Sequence, residues 1–404
     1  MVADPLAVWL NDHLVGHLVR DRRGGFRFDA RDGASSLTVS PLGAETPWGK
    51  AFSRNWFEGL LPEEGQRTTA EGNHGVARGD TFGLLAAIGR ECAGAVSVLP
   101  EGMTPASGRY EPLTSAQVLE RLDALPRLVD LVDQSVRLSL GGAQDKLMLR
   151  QTLEGWSLPL DGALSTHIFK PESPAYPGLA VAEAWCLTAA AAATATVTAH
   201  LQAPAGHRPT LVVERYDRTI TGDGIVRTHQ EDMCQVLGLS PADKYANSAK
   251  PREPQMARLA QILLNRSDDP SQELRRLLEQ LTVNIALGNA DAHAKNYSLV
   301  HGEGVVTLSP LYDVSPTMAF LVSQDRAALP VAGKFRLEDI SRGHLLAEAR
   351  TWRIPEPVAW ETISTTLERL EQGMSAAQGT YKDLPPAVHS RIEIQFERLA
   401  RSDW

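Results

Sequence analysis

Gly288-Asn289-Ala290-Asp291-Ala292-His293-Ala294-Lys295-Asn296-Tyr297-Ser298-Leu299-Val300 is the stretch that decides the fold. The residues before it, Leu274 to Gly288, carry the apolar period of a helix, which breaks at Gly288 and delivers Asp291, His293, Lys295 and Asn296 within six positions. In phosphoryl transfer a carboxylate orients the attacking hydroxyl, and an amide oxygen five residues later binds magnesium. Asp291 and Asn296 have that separation. A second carboxylate must follow on a strand end to bridge metal and phosphates. Asp313, in TLSPLYDVSPT after the strand-like run Gly304 to Leu308, fits that place. The plainer alternatives are a solvated loop with a helix cap for Asp291 and Asn296, and an ordinary strand-ending aspartate for Asp313. The three in this order favour a metal-triphosphate site.

Working upstream, Ser139-Leu140-Gly141-Gly142-Ala143-Gln144-Asp145-Lys146 is a small-residue loop between apolar runs. It is able to bring backbone N–H groups close to phosphates, although a bare Gly-Gly also suits a hairpin turn. Lys170 ends the run THIFK before Pro171, so the strand stops there with an amine at a defined edge, as a lysine pairing with phosphates requires. Glu183 on the following helix is its candidate ion-pair partner. Thr210 to Asp217 reads as a buried strand leaving into a polar connection, where a hinge backbone can meet adenine. Gln230, Glu231 and Asp232 then introduce a helical region.

The 404 residues exceed what one hydrophobic core usually serves. Hydrophobic residues are 43% and charged residues 22%, which argues for a folded globular chain and against a disordered or fibrous one. The formal net charge of −9 argues against broad coating of nucleic acid by this chain alone. Cys92, Cys186 and Cys234 lie too far apart for a zinc module and do not form a disulfide framework, pointing to a reducing compartment. No basic leader precedes the amino-terminal apolar residues and no window suits a membrane helix, so a cytoplasmic location is expected, with no membrane partner.

Alternation over residues 6 to 30, with turn signals at Asn11-Asp12 and Gly24-Gly25, predicts a small antiparallel sheet. Asp80 is the expected N-cap of a helix Thr81 to Arg90, followed by a strand Ala93 to Leu99. Short strands (Lys146 to Leu149, His167 to Lys170, Thr210 to Tyr216) are expected around one Ala-rich helix, Ala182 to His200, with the alanine tract Ala189 to Ala195 inside it. Helices are expected at Gln255 to Leu264, Leu274 to Gly288, Trp360 to Gln372 and Ala387 to Arg401. The division this implies is 1–110 as an α+β amino-terminal part, 111–230 as a nucleotide-facing lobe and 231–404 as a helical lobe with the catalytic loop.

Over nearly its whole length the chain resembles the HipA family of bacterial toxin kinases. RLSLGGAQDK, THIFKPE, VVERYDR, HQEDMCQVLGL, GNADAHAKNYSL and LSPLYDVSP follow that family's order and spacing, and NWFEGLLPEE and DTFGLLAAIGRECAGAVSVLPEG resemble its first subdomain. The resemblance implies an α+β, bilobal kinase-like fold, sheet-rich first and helical later, using ATP and magnesium. It implies Asp291 as catalytic base, Asn296 and Asp313 as magnesium ligands and Lys170 as the phosphate-binding lysine. Gly141, Gly142, Ala143, Gln144, Asp145 and Lys146 would cover the nucleotide. Glu214, Arg215 and Tyr216 would contact adenine, and His293, Lys295 and Tyr312 would sit near phosphates or metal. The family's loop serine, whose phosphorylation silences the enzyme, falls on Ser139.

The resemblance further implies a growth-arresting serine/threonine kinase acting on a translation component such as an aminoacyl-tRNA synthetase. Its partner would be a HipB-like DNA-binding antitoxin, through which it joins operator DNA. Two other readings are separable from this one. A catalytically silent corepressor would lack Asp291, Asn296 or Asp313, and all three are present. A metal-dependent hydrolase using Asp291, His293 and Asp313 leaves the glycine loop and Lys170 unexplained.

Overall fold

The structure is a computed structural model that describes residues 4–31, 48–105, 108–125, 145–222, 224–246, 255–302, 304–320 and 325–403. The chain forms two compact units, one of residues 1–171 and 214–242, the other of 172–213 and 243–404. The boundaries expected at 110 and 230 both fall inside the first unit, so a three-part division is a proposal about subdomains, separate from these units.

In the first unit the alternating amino-terminal residues form β1 (Leu6–Leu10), β2 (His13–Arg20) and β3 (Phe26–Ala30). Asn11, at φ 54°, makes the turn between β1 and β2. Helices α1 (Lys50–Glu58), α2 (Glu64–Asn73) and α3 (Thr81–Ile88) follow, and β4 (Val96–Pro100) returns beside β1, giving the antiparallel order β3-β2-β1-β4. Asp80 caps α3 as expected, its carboxylate accepting from Gly83 N at 3.1 Å. The core between sheet and helices is aromatic: Phe28 meets Trp48 edge-on with centroids 4.9 Å apart, and Trp56 meets Phe57 at 4.8 Å. Such pairs add about 0.5–1.5 kcal/mol beyond the area they bury.

Next come β5 (Arg109–Leu113), α4 (Ser115–Ala124), β6 (Leu147–Thr152), β7 (Gly155–Leu160) and β8 (His167–Pro171). Their strands lie in the order β5-β7-β6-β8, each antiparallel to its neighbour. His167 and Phe169 turn to one face of β8, both edge-on to Trp156 of β7, with centroids 4.9 and 4.8 Å away. Ile168 and Lys170 therefore share the other face.

The chain then enters the second unit with α5 (Leu179–Ala190), β9 (Ala199–Gln202) and β10 (Thr210–Glu214), β9 and β10 pairing antiparallel. The expected helix Ala182 to His200 is shorter than the alanine content implies. It stops at Ala190, because Thr196 is captured by Leu311 in an isolated bridge, with Val197 N donating to Leu311 O at 3.0 Å and Leu311 N to Ala195 O at 2.8 Å. Tertiary pairing overrides propensity there.

From Glu214 the chain is part of the first unit again, as β11 (Arg218–Thr221), β12 (Gly224–Arg227), β13 (Gln230–Asp232) and α6 (Met233–Leu237). Trp56 Nε1 donates to Glu231 at 2.6 Å and Asn55 Nδ2 to Gly238 O at 2.9 Å, tying this return segment to α1.

The rest is the second unit: α7 (Met256–Arg266), α8 (Pro270–Ala286), the hairpins β14 (Ser298–His301)–β15 (Val306–Leu308) and β16 (Arg326–Val331)–β17 (Lys334–Arg336), then α9 (Arg342–Thr351), α10 (Glu356–Thr380) and α11 (Pro386–Ala400). α10 packs along α5, α8 and α9. The fold is α+β with a helical carboxy-terminal region, as expected. Cys92, Cys186 and Cys234 are free and buried, and no described helix is long and apolar enough to cross a membrane.

Candidate active site

α8 begins with Pro270 behind the Asp269 cap, whose side chain accepts from Gln272 N at 3.0 Å, and it is buried along most of its length. Its end is fixed by Gly288, at φ 72°, where a Cβ would run into the Met318 side chain. Only glycine suits both the backbone and the space. The candidate catalytic loop starts there. Asn289, 1% exposed, donates from Nδ2 to Asn284 Oδ1 at 2.8 Å and to Asp313 O at 3.2 Å, while its Oδ1 accepts from Asp291 N at 3.1 Å. One buried amide thus fixes the segments carrying both candidate carboxylates.

Past Asp291 the loop folds on itself. Asp291 O accepts from His293 N at 2.7 Å and from Asn296 Nδ2 at 3.0 Å. With its amide nitrogen committed, Asn296 presents Oδ1 as its acceptor end, the atom a hard cation takes. Tyr312 donates to Lys295 O at 2.7 Å and shares a 2.7 Å hydrogen bond with Ser298 Oγ, holding the start of β14 to the segment after β15. Asp313 sits at φ 59°, a left-handed conformation that a non-glycine residue keeps only where its surroundings demand it. A carboxylate and an amide oxygen suit magnesium, which takes few protein ligands and completes its shell with phosphates and water. No three His, Cys, Asp or Glu converge among the described residues, so the three-ligand centre of the hydrolase reading finds no support there.

Tyr245 joins this candidate site, and no pattern in the sequence announces it. Its hydroxyl donates to Asp291 Oδ1 at 2.7 Å, and its ring meets His293 edge-on with centroids 5.3 Å apart. The segment beneath it is held twice, Lys244 O accepting from Ala294 N at 3.1 Å and Ala246 N donating to Ala328 O at 2.9 Å.

In the first unit, Leu147 pairs with Phe169 and Met148 with Ile168. Continued by one step, that register puts Lys146 abreast of Lys170 at the open end of the β6–β8 pair, on one face. Two lysines at neighbouring strand ends are candidates to pair with anionic groups. Asp145, beside Lys146, accepts from Gln66 Nε2 at 3.4 Å. Ser139, Gly141, Gly142, Ala143 and Gln144 lie outside the described residues.

Of the residues expected at the adenine hinge, Glu214 is exposed and Tyr216 is half-buried, hydrogen-bonded through its hydroxyl to Gln230. Arg215 is turned inward. Its guanidinium meets Glu91 at 2.8 Å, Asp217 at 2.9 Å and Ser165 Oγ at 2.8 Å, so its side chain serves the interior. Arg218 joins the same group, 3.3 Å from Glu91 and 3.0 Å from Asp217, and Arg227 Nη1 donates to Ser97 Oγ at 2.8 Å. Burial pushes the Asp217 carboxyl up, but Arg215 and Arg218 outweigh it and hold it below the usual carboxylate range. Burial likewise pushes Arg215 down, and Asp217 and Glu91 more than reverse it.

Comparison with known proteins agrees with this architecture. The chain matches the HipA-like C-terminal domain family over residues 138–374 and the HipA N-terminal domain family over residues 6–99. It is 33% identical over 399 residues to the Sinorhizobium fredii protein named "Putative kinase Y4mE", covering 95% of this chain and 94% of the relative. It is 28% identical over 327 residues to the serine/threonine-protein kinase toxin HipA of Shewanella oneidensis, covering 78% and 75%. A solved Shewanella oneidensis complex of HipA, HipB and operator DNA contains a chain of the same fold, with a TM-score of 0.85 and 23% identity over 98% of this chain and 97% of that one.

Proposed function

The chain belongs to the HipA family, and on that premise we propose that it is an ATP- and magnesium-dependent protein serine/threonine kinase, the toxin of a toxin-antitoxin pair. The observation that carries this reading is the Asn289 amide, bonded at once to the backbones of Asp291 and Asp313, the base and metal-ligand candidates. A loop built to hold these two segments in register serves positioning, which is most of what phosphoryl transfer asks of a protein.

In this mechanism Asp291 aligns the acceptor hydroxyl and takes its proton late. Lys170, with Lys146 beside it, neutralises charge on the phosphates, and Gly141 to Lys146 are the residues proposed for nucleotide binding. Asn296 and Asp313 would hold magnesium, which when bound would supply charge neutralisation at the transferring group. Glu214 and Tyr216 flank adenine, and His293, Lys295 and Tyr312 support the loop around the metal. Ser139 is the proposed site of self-phosphorylation.

The proposed partners are a HipB-like antitoxin and, through it, operator DNA; a relative of this fold is solved in such a complex. The net charge of −9 is in keeping with an antitoxin that supplies most contacts to DNA. The proposed substrate is a translation component such as an aminoacyl-tRNA synthetase, met in the cytoplasm.

The test separates base from ligand. Asp291→Asn is expected to abolish transfer while ATP affinity stays within about threefold, and Asp313→Asn to weaken magnesium-ATP binding as well. Wild-type turnover in either variant would refute its assignment.

A further inference from the structure

Asp291 uses its two carboxylate oxygens unequally. Oδ1 accepts the Tyr245 hydroxyl at 2.7 Å, whereas Oδ2 takes no hydrogen bond from a described residue. Tyr245 comes from a segment far from the candidate catalytic loop in sequence, between the short 3-10 turn Pro241–Asp243 and α7, and is 46% exposed. Its backbone is clamped on both sides, by Ala294 through Lys244 O and by Ala328 through Ala246 N, and its ring is seated against His293. Lys244 Nζ lies 5.6 Å from the ring centroid, and Lys244 itself is buried.

We propose that Tyr245 is a positioning residue for the phosphoryl-transfer base, holding Oδ1 of Asp291 so that Oδ2 is the oxygen offered to the acceptor hydroxyl. This rests on the kinase reading. A carboxylate on a half-exposed loop otherwise samples rotations about its last torsion, which is broad for aspartate. A phenol fixed from outside the loop removes that freedom without occupying the second oxygen. Because the loop's own bonds engage only the Asp291 backbone, Tyr245 is the one described residue that acts on its side chain.

Tyr245→Phe removes one oxygen from a half-exposed ring and keeps the ring against His293. Kinetics of the full-length chain with ATP, magnesium and a generic acceptor such as myelin basic protein or its own loop serine would read the effect, alongside ATP affinity and melting temperature. We expect kcat to fall about ten- to a hundredfold with KM for ATP, ATP affinity and melting temperature unchanged. Activity within twofold of wild type, or a rise in kcat, would overturn the assignment, the latter marking Tyr245 as a plug on the base. A fall in ATP affinity or melting temperature parallel to kcat would also overturn it, as the sign of a merely structural residue. Wild type without transfer would overturn the kinase reading itself, and this assignment with it, whereas an active wild type with an indifferent variant overturns this assignment alone.

Discussion

Among single residues, one buried amide, that of Asn289, ties together the segments of the two candidate carboxylates. Asn289→Ala would free Asp291 N and Asp313 O from their shared partner and leave Asn284 Oδ1 without its donor. It is expected to cost about 1–3 kcal/mol of stability and to lower kcat about a hundredfold, read by denaturant unfolding and by transfer kinetics. Asp291, Asn296 and Asp313 stand out as candidates in the sequence because their chemistry and spacing lie along one loop and the segment that follows the next hairpin. Asn289 was in view but its role was not, since its acceptor on Asp313 is 24 residues away. Tyr245, 46 residues before the carboxylate it touches, left no local signal. Arg215 shows the opposite case: it reads as a hinge residue beside adenine, yet the charge that draws its side chain inward, Glu91, stands 124 residues earlier.

At the scale of elements, period and caps served well where helices are amphipathic and poorly where they are buried. α8 and α11 follow their expected stretches closely, and Asp80 caps α3 as read. α5 is buried nearly all round, so alanine content alone marked its length and overran its end by capturing residues that pair with Leu311. The same helix explains a glycine within α10. A Cβ at Gly373 would overlap the Ala189 carbonyl oxygen and crowd Ala192. Gly373→Ala should therefore lower stability by about 1–3 kcal/mol despite alanine's better helix propensity, seen as a drop in melting temperature. A rise would mean that α5 and α10 are free to separate there.

At the scale of the whole molecule, the chain leaves the first unit after Pro171 and returns at Glu214. No sequence pattern announces that return, because buried ion pairs between residues distant in sequence secure it. Glu91, Arg215, Asp217 and Arg218 are all fully enclosed. Removing one partner leaves charge stranded in the interior, so Asp217→Asn is expected to cost about 3–5 kcal/mol. The sign of its pH dependence follows from the depressed Asp217 carboxyl. That stabilisation is present above the ordinary carboxylate range, about pH 4, and is lost as pH falls toward the lower folded value. Unfolding midpoints of wild type and Asp217→Asn should thus converge between about pH 4 and pH 2, and a constant gap would contradict the assignment.

Incubating the purified chain and its Asp291→Asn variant with magnesium and ATP, then mapping phosphorylated peptides by mass spectrometry, decides whether Asp291 serves phosphoryl transfer. Phosphate is expected on Ser139 in the wild type, and neither there nor elsewhere in the variant, with both proteins binding ATP. Phosphate in neither protein, or equally in both, would contradict the assignment of this loop as the catalytic centre of a kinase.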